Sequence, residues 1–248
     1  MHVALIIFLL TYVLLMVRLP GRFRIGRGTA ALIGSVLMIL FGVVTLSGAW
    51  QSIDFDVLFL LIGMMVLVAG LEYCGLFEVI SGLLVDRFRT RKGLLAGIMG
   101  ISALLAALIL NDAVVLLFTP IVIRTSARIR ADPIPYVVGM LMSANIGSVA
   151  TAIGNPQNAY IASFAGLDFI DFSLHLAPVA IVCMPVAYLM IYAVFRKRIG
   201  ADVETGMCYE EPAEIDTKRL RFMVLVMIAM FAGFIASGFT GMPLYVPA

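Results

Sequence analysis

Apolar residues in this chain fall into long unbroken blocks, with polar residues gathered in the gaps and at the centres of two blocks. The blocks are 3–17, 29–48, 55–71, 94–123, 134–165, 174–195 and 220–240. Most approach the roughly 20 residues that a membrane-spanning helix needs. A bilayer offers no hydrogen bonds to the backbone, so a chain crosses it as helices or as a closed barrel, and continuous blocks of this length select helices. Blocks 94–123 and 134–165 are different. Unbroken, each would be a helix of about 45 Å, too long for one span and too short for two with a turn. Polar residues in the middle of both predict a break.

Segment 73–92 has its own pattern. Leu76, Phe77, Ile80, Leu83 and Leu84 recur at helical spacing, with Glu78, Asp86 and arginines on the remaining face. That predicts an amphipathic helix lying in the interface. Segment 199–218 is acidic and polar and predicts a linker on the cytoplasmic side.

Charge gives the sidedness. All 17 Lys and Arg residues lie in the stretches 18–27, 87–92, 124–130, 196–198 and 218–221. They share one face if 94–123 enters and leaves on the same side while every other block crosses once. The positive-inside rule makes that face cytoplasmic and puts the N-terminus outside. The opposite loops, 49–54 and 166–172, carry only Asp54, Asp168 and Asp171. Segment 94–123 is therefore predicted to be a re-entrant hairpin with its tip at Asn111–Asp112.

Composition agrees with a multi-pass protein of the cell membrane. Hydrophobic residues make up 62% and charged residues 13%, against roughly half and a quarter in soluble domains. The net charge of +2 gives no basis for a nucleic-acid partner. Cys74, Cys183 and Cys208 have neither paired nor metal-ligand spacing. The first block lacks a preceding basic region and a following cleavage site, so it is predicted to be a retained span.

The candidate chemistry sits at the two breaks. In LILNDAVVLLFTPIVIR, 108–124, Asp112 is the carboxylate that this topology places deep in the bilayer, where an acid costs a few kcal/mol. Asn111 and Asp112 also suit the start of a returning helix. In SANIGSVATAIGNPQNAYIASF, 143–164, Asn155 before Pro156 is the cap-then-proline signature of a new helix, and Gly154 frees the backbone at the break. Asn145, Ser148, Thr151, Gln157 and Asn158 surround it. Two helices starting inside the membrane present free N–H groups and positive dipole ends, an anion site without lysine or arginine. Freed carbonyls near Ile109–Leu110 and Ala152–Gly154, with Asn111 and Asp112, suit a small hard cation such as Na+. Broken helices facing a shared site are how secondary transporters bind a substrate with a coupling ion.

With Leu110-Asn111-Asp112 at a hairpin tip, Pro120 after it, and Gly154-Asn155-Pro156-Gln157-Asn158 at a helix break, the chain resembles the ion transporter superfamily of arsenite permeases, sodium/proton antiporters and divalent-anion:sodium symporters, with citrate-transporter-like anion permeases among them. The resemblance implies an all-α, inverted-repeat, elevator-type fold. It would make 1–198 the first repeat, 199–218 a linker and 219–248 the first span of a second repeat. It also implies a homodimer and a missing C-terminal repeat or complementary half. It assigns substrate binding to Asn111, Asn145, Asn155, Pro156, Gln157 and Asn158. Ion coupling falls to Asn111, Asp112, Thr151 and Gly154, with Na+ or H+ as the coupling ion, Asn111 and Asp112 as Na+ candidates, and no cofactor. Asp112 replaces a threonine of the symporter motif, which leaves room for protons.

Other classes have little support. His2 and His175 lie near the expected outer face, and no nucleophile–base or metal-ligand motif is present. A channel could use the same half-helices. Gly34, Gly63, Gly70 and Gly97 are read as points of close helix packing, Trp50 as an interface anchor, and Glu72 as a partner for a nearby basic residue.

Overall fold

The computed structural model describes residues 2–16, 26–88, 90–200, 216–240 and 246–248. Among them the regular elements are all helices. They are α1 (His2–Met16), α2 (Arg27–Leu40), α3 (Leu46–Gln51), α4 (Phe55–Tyr73), α5 (Leu76–Arg87), α6 (Arg91–Leu108), α7 (Asn111–Arg128), α8 (Pro133–Ser148), α9 (Pro156–Ala165), α10 (Phe169–Ile199) and α11 (Thr217–Thr240). Helices α4, α6, α10 and α11 are long and apolar enough to cross a membrane. Most of the expected linker, with Cys208, lies outside the described residues.

The chain divides into two compact units, 1–54 and 55–248. In the first, α1 packs on α2 where Gly34 meets the Thr11 side chain. The block expected as a single span over 29–48 is instead two helices. Phe41 caps α2, Gly42 turns at φ +66°, and the Thr45 hydroxyl caps α3 by accepting from Gly48 N at 3.1 Å. A threonine whose Oγ can accept, five residues after the end of α2, restarts the helix, which hydrophobicity alone does not reveal.

In the second unit α6 and α8 pack closely. Gly139 lies against Leu95 and Met99, and Gly147 against the backbone of Ala103. Gly139, Ser143 and Gly147 are spaced by four, so they form a small-residue stripe that lets two backbones approach. Leu94, Leu95, Ile98, Met99, Tyr136, Met140 and Ala144 fill the contact. The amphipathic helix expected over 73–92 forms as α5. Phe77 and Leu84 are buried, with Phe77 6.3 Å from the ring of Phe118 in α7, whereas Leu83 is exposed.

The basic ends of this unit converge. Arg91 Nη2 donates to Arg130 O at 3.2 Å and Nη1 to Ile199 O at 3.1 Å. The start of α6 thus meets the end of α7, and the pair forms a hairpin whose ends lie on one side. Tyr136 Oη donates to Arg91 O at 3.3 Å, Tyr188 Oη donates to Lys92 O at 3.4 Å, and Arg198 pairs with Asp132 at 3.4 Å. Helix α11 starts at this end too, because its Met223 meets Gly70 late in α4 while its Gly238 meets Ile170 at the start of α10. The described basic positions in 90–92, 124–130, 196–198 and 218–221 therefore lie toward one end of the unit.

Gly63, Gly70 and Gly97 also mark close approaches, to Ala248, to Met223 and to Phe88 with Leu84 respectively. Glu72 is exposed and makes no ion pair among the described residues, contrary to expectation.

Candidate functional site

Two interruptions carry the site. Helix α6 ends at Leu108, Ile109 and Leu110 are extended, and α7 begins at Asn111. Helix α8 ends at Ser148 and α9 begins at Pro156, with turns between. Pro156 at the first helical position gives up a donor that would be unpaired there anyway. Asn155 caps the new helix, its Oδ1 accepting from Asn158 N at 2.7 Å.

The two breaks touch. Asn111 N donates to Gly154 O at 2.9 Å, and the Thr151 hydroxyl donates to Ala107 O at 2.7 Å. Each break therefore satisfies a backbone group that the other leaves unpaired. A Cβ at Gly154 would lie 2.7 Å from Ser148 Cα and 2.9 Å from Ala106 O, so only glycine fits between the two segments.

A side-chain amide network stiffens the second break. Asn158 Nδ2 donates to Ser148 O at 2.9 Å and to Thr151 O at 3.0 Å, which closes the turn across its own ends. Asn155 Nδ2 donates to Ser148 Oγ at 3.2 Å, and that hydroxyl donates to Asn145 O at 2.9 Å. Asn111, Ser148, Thr151, Asn155 and Asn158 are all buried.

Asn111 joins the breaks a second time, its Nδ2 donating to Asn145 Oδ1 at 3.3 Å. Its own Oδ1 is buried and has no donor among the described residues. Buried acceptors are rarely left unpaired, so this oxygen is the candidate contact for a bound species.

Of the sequence-predicted residues, Asn111, Thr151, Gly154, Asn155 and Asn158 come together in this buried cluster, and Pro156 is half-buried beside it. Asp112, Asn145 and Gln157 are exposed at its rim, on the first turn of α7, the last turn of α8 and the first turn of α9. At a helix N-terminus a carboxylate such as Asp112 is favoured by the dipole. One expectation needs correcting. Of the carbonyls predicted to be free for a cation near Ile109–Leu110 and Ala152–Gly154, those of Leu110 and Gly154 are engaged, by Val114 N and Asn111 N. The Asn111 Oδ1 is a further acceptor without a donor among the described residues. Sequence reasoning placed Ser148 beside the break but gave it no role; it links Asn145, Asn155 and Asn158.

The basic start of α6 is remote. Arg91 and Lys92 are at the far end of α6, an 18-residue helix about 27 Å long. The field at the breaks comes from helix ends, amides and Asp112.

The sequence is similar to those of known transporters. A profile described as citrate transporter matches residues 6–247. The chain is 36% identical over 184 residues to a silicon efflux transporter of Oryza sativa subsp. japonica, covering 74% of this chain and 37% of the relative. It is 31% identical over 242 residues to an uncharacterized transporter of Mycobacterium tuberculosis, covering 94% and 55%. It is 31% identical over 176 residues to a putative transporter, arsB, of Dictyostelium discoideum, covering 70% and 31%. The chain thus spans about half or less of the length of these relatives.

Proposed function

The chain belongs to the citrate transporter family, and on that premise we propose that it carries the substrate and ion sites of a secondary active transporter. The cargo is a small anion, a carboxylate or an oxyanion, and the driving ion is Na+ or H+. The observation that carries this reading is the joining of the two helix breaks through Asn111 N–Gly154 O and Thr151–Ala107 O.

The chemistry follows from that arrangement. The N-termini of α7 and α9 offer backbone donors and positive dipole ends to an anion. Asp112, on the first turn of α7, opposes an anion until a proton or Na+ neutralises it, which ties binding of the two species together. Asn145 and Gln157 supply amides to the substrate; Asn158, both of whose amide hydrogens go to Ser148 O and Thr151 O, holds the break in shape instead of contacting the anion; Asn111 and Asp112 supply oxygens to the ion. In this reading α6 and α7 form a re-entrant hairpin, the basic ends face the cytoplasm and the N-terminus is outside. An inverted second repeat completes the site in an elevator-type homodimer. The name of the Oryza sativa relative and the resemblance to arsenite permeases make silicon and arsenic oxyacids the first substrates to try beside carboxylates.

Uptake by the protein in proteoliposomes, screened against carboxylates and oxyacids under imposed Na+ or proton gradients, tests this. Uphill accumulation that collapses with one gradient is the expected result. Passive equilibration that ignores both gradients would instead favour an anion channel of the same fold. Ion exchange without any anion flux would favour a sodium/proton antiporter.

A further inference from the structure

The side-chain amides of Asn145 and Asn111, one from each break, have a fixed direction. Asn145 Nδ2 donates to Leu141 O at 2.9 Å. A backbone carbonyl only accepts, so this bond decides which end of the Asn145 amide is which. Its Oδ1 must then face Asn111, where it accepts from Asn111 Nδ2 at 3.3 Å. That bond in turn decides the Asn111 amide, whose Oδ1 is left buried with no donor. The order Leu141 O, Asn145 amide, Asn111 amide is a relay that begins on a fixed backbone acceptor and ends on an unpaired oxygen.

We infer that Asn145 is a positioning residue: it sets the polarity of the Asn111 amide so that the break presents an oxygen, selecting a cation as the species bound there. Without Asn145 the Asn111 side chain could turn its NH2 toward the same place and would then repel a cation. This rests on the coupling-ion reading of the site, with Na+ as the probe, and moves Asn145 from contacting the substrate to orienting an ion ligand.

The test compares Na+-specific thermal stabilisation of the purified protein with choline at equal ionic strength, in four variants. Asn145→Ala should shift the Na+ concentration for half-maximal stabilisation upward at least about tenfold. Asn145→Asp keeps an oxygen facing Asn111 Nδ2 and should retain the response. Asn111→Asp has oxygen at both positions and no polarity to set, so adding Asn145→Ala to it should cost nothing further. If Asn145→Ala is as harmful in the Asn111→Asp background as alone, or harmless in both, the relay is refuted while Na+ binding stands. If the unaltered protein is not stabilised by Na+ at all, the coupling-ion reading fails and this inference with it. Should Asn145→Ala not fold, Asn145→Asp and the Asn111→Asp pair still decide, since loss of the response in Asn145→Asp also overturns the relay.

Discussion

Replacing Gly154 by alanine tests the junction of the two breaks directly. The added Cβ would meet Ser148 O, Ser148 Cα at 2.7 Å and Ala106 O at 2.9 Å. All three are backbone atoms, so no side chain can rotate away. Overpacking of a filled site costs about 1–3 kcal/mol, and backbone contacts on two sides put this case near the top, at about 3 kcal/mol. The shift would also lengthen the Asn111 N–Gly154 O bond, now 2.9 Å. A chain of this size loses about 2–4 °C per kcal/mol, so the midpoint should fall by about 6–12 °C. Gly100→Ala is the control: it lies within α6 with nothing inside 4 Å of the added carbon. There alanine should be neutral or stabilising by up to about 1 kcal/mol. Thermal unfolding in detergent, followed by intrinsic fluorescence, reads both. Equal midpoints for Gly154→Ala and Gly100→Ala would refute the close approach of the breaks.

The other predictions concern charge, capping and the hairpin base. Asp112→Asn should leave membrane insertion intact and bring gradient-driven uptake to background; unchanged uptake in proteoliposomes would remove Asp112 from coupling. Asn155→Ala removes the cap on Asn158 N, should cost about 1 kcal/mol and should weaken substrate binding, whereas Asn155→Asp, which can still accept, should keep most of the stability. Arg91→Ala breaks the bonds to Arg130 O and Ile199 O and should lower stability by about 1–3 kcal/mol, with Arg91→Lys intermediate in the same unfolding assay. Single cysteines introduced at 92 and 124 should react with an impermeant thiol reagent from the same side of the membrane, and labelling from opposite sides would rule out the re-entrant hairpin.

Much of the architecture was legible because the relevant physics is coarse. Block length announced spanning helices, and polar residues at the centres of 94–123 and 134–165 announced both interruptions. The Lys and Arg stretches after α7 and at the end of α10 meet the start of α6 through Arg91, which bonds Arg130 O and Ile199 O. Asn155-Pro156 read correctly as a helix start because cap and proline are local chemistry. The rest depends on partners far apart in sequence. Thr151 meets Ala107 and Asn111 meets Gly154 only after α6 and α8 have packed, and that packing rests on Gly139 and Gly147, whose neighbours no local pattern names. The restart of the helix at Thr45 was hidden because a single hydroxyl outweighs a stretch of hydrophobicity. Asp112 was expected at depth, yet whether it is covered is set by what packs against its face, which spacing alone does not encode.

The bond from Asn111 N to Gly154 O has a mechanical consequence. Prising one interruption away from the other would strand a donor and an acceptor where no water replaces them, and the Thr151–Ala107 link would break in the same movement. The least costly displacement carries both as one piece. In the proposed transporter, movement would then come from sliding or tilting of that piece against its surroundings, with joints to be sought at its borders, at left-handed Gly75 before α5 and Gly166 after α9, rather than at the Asn111 elbow.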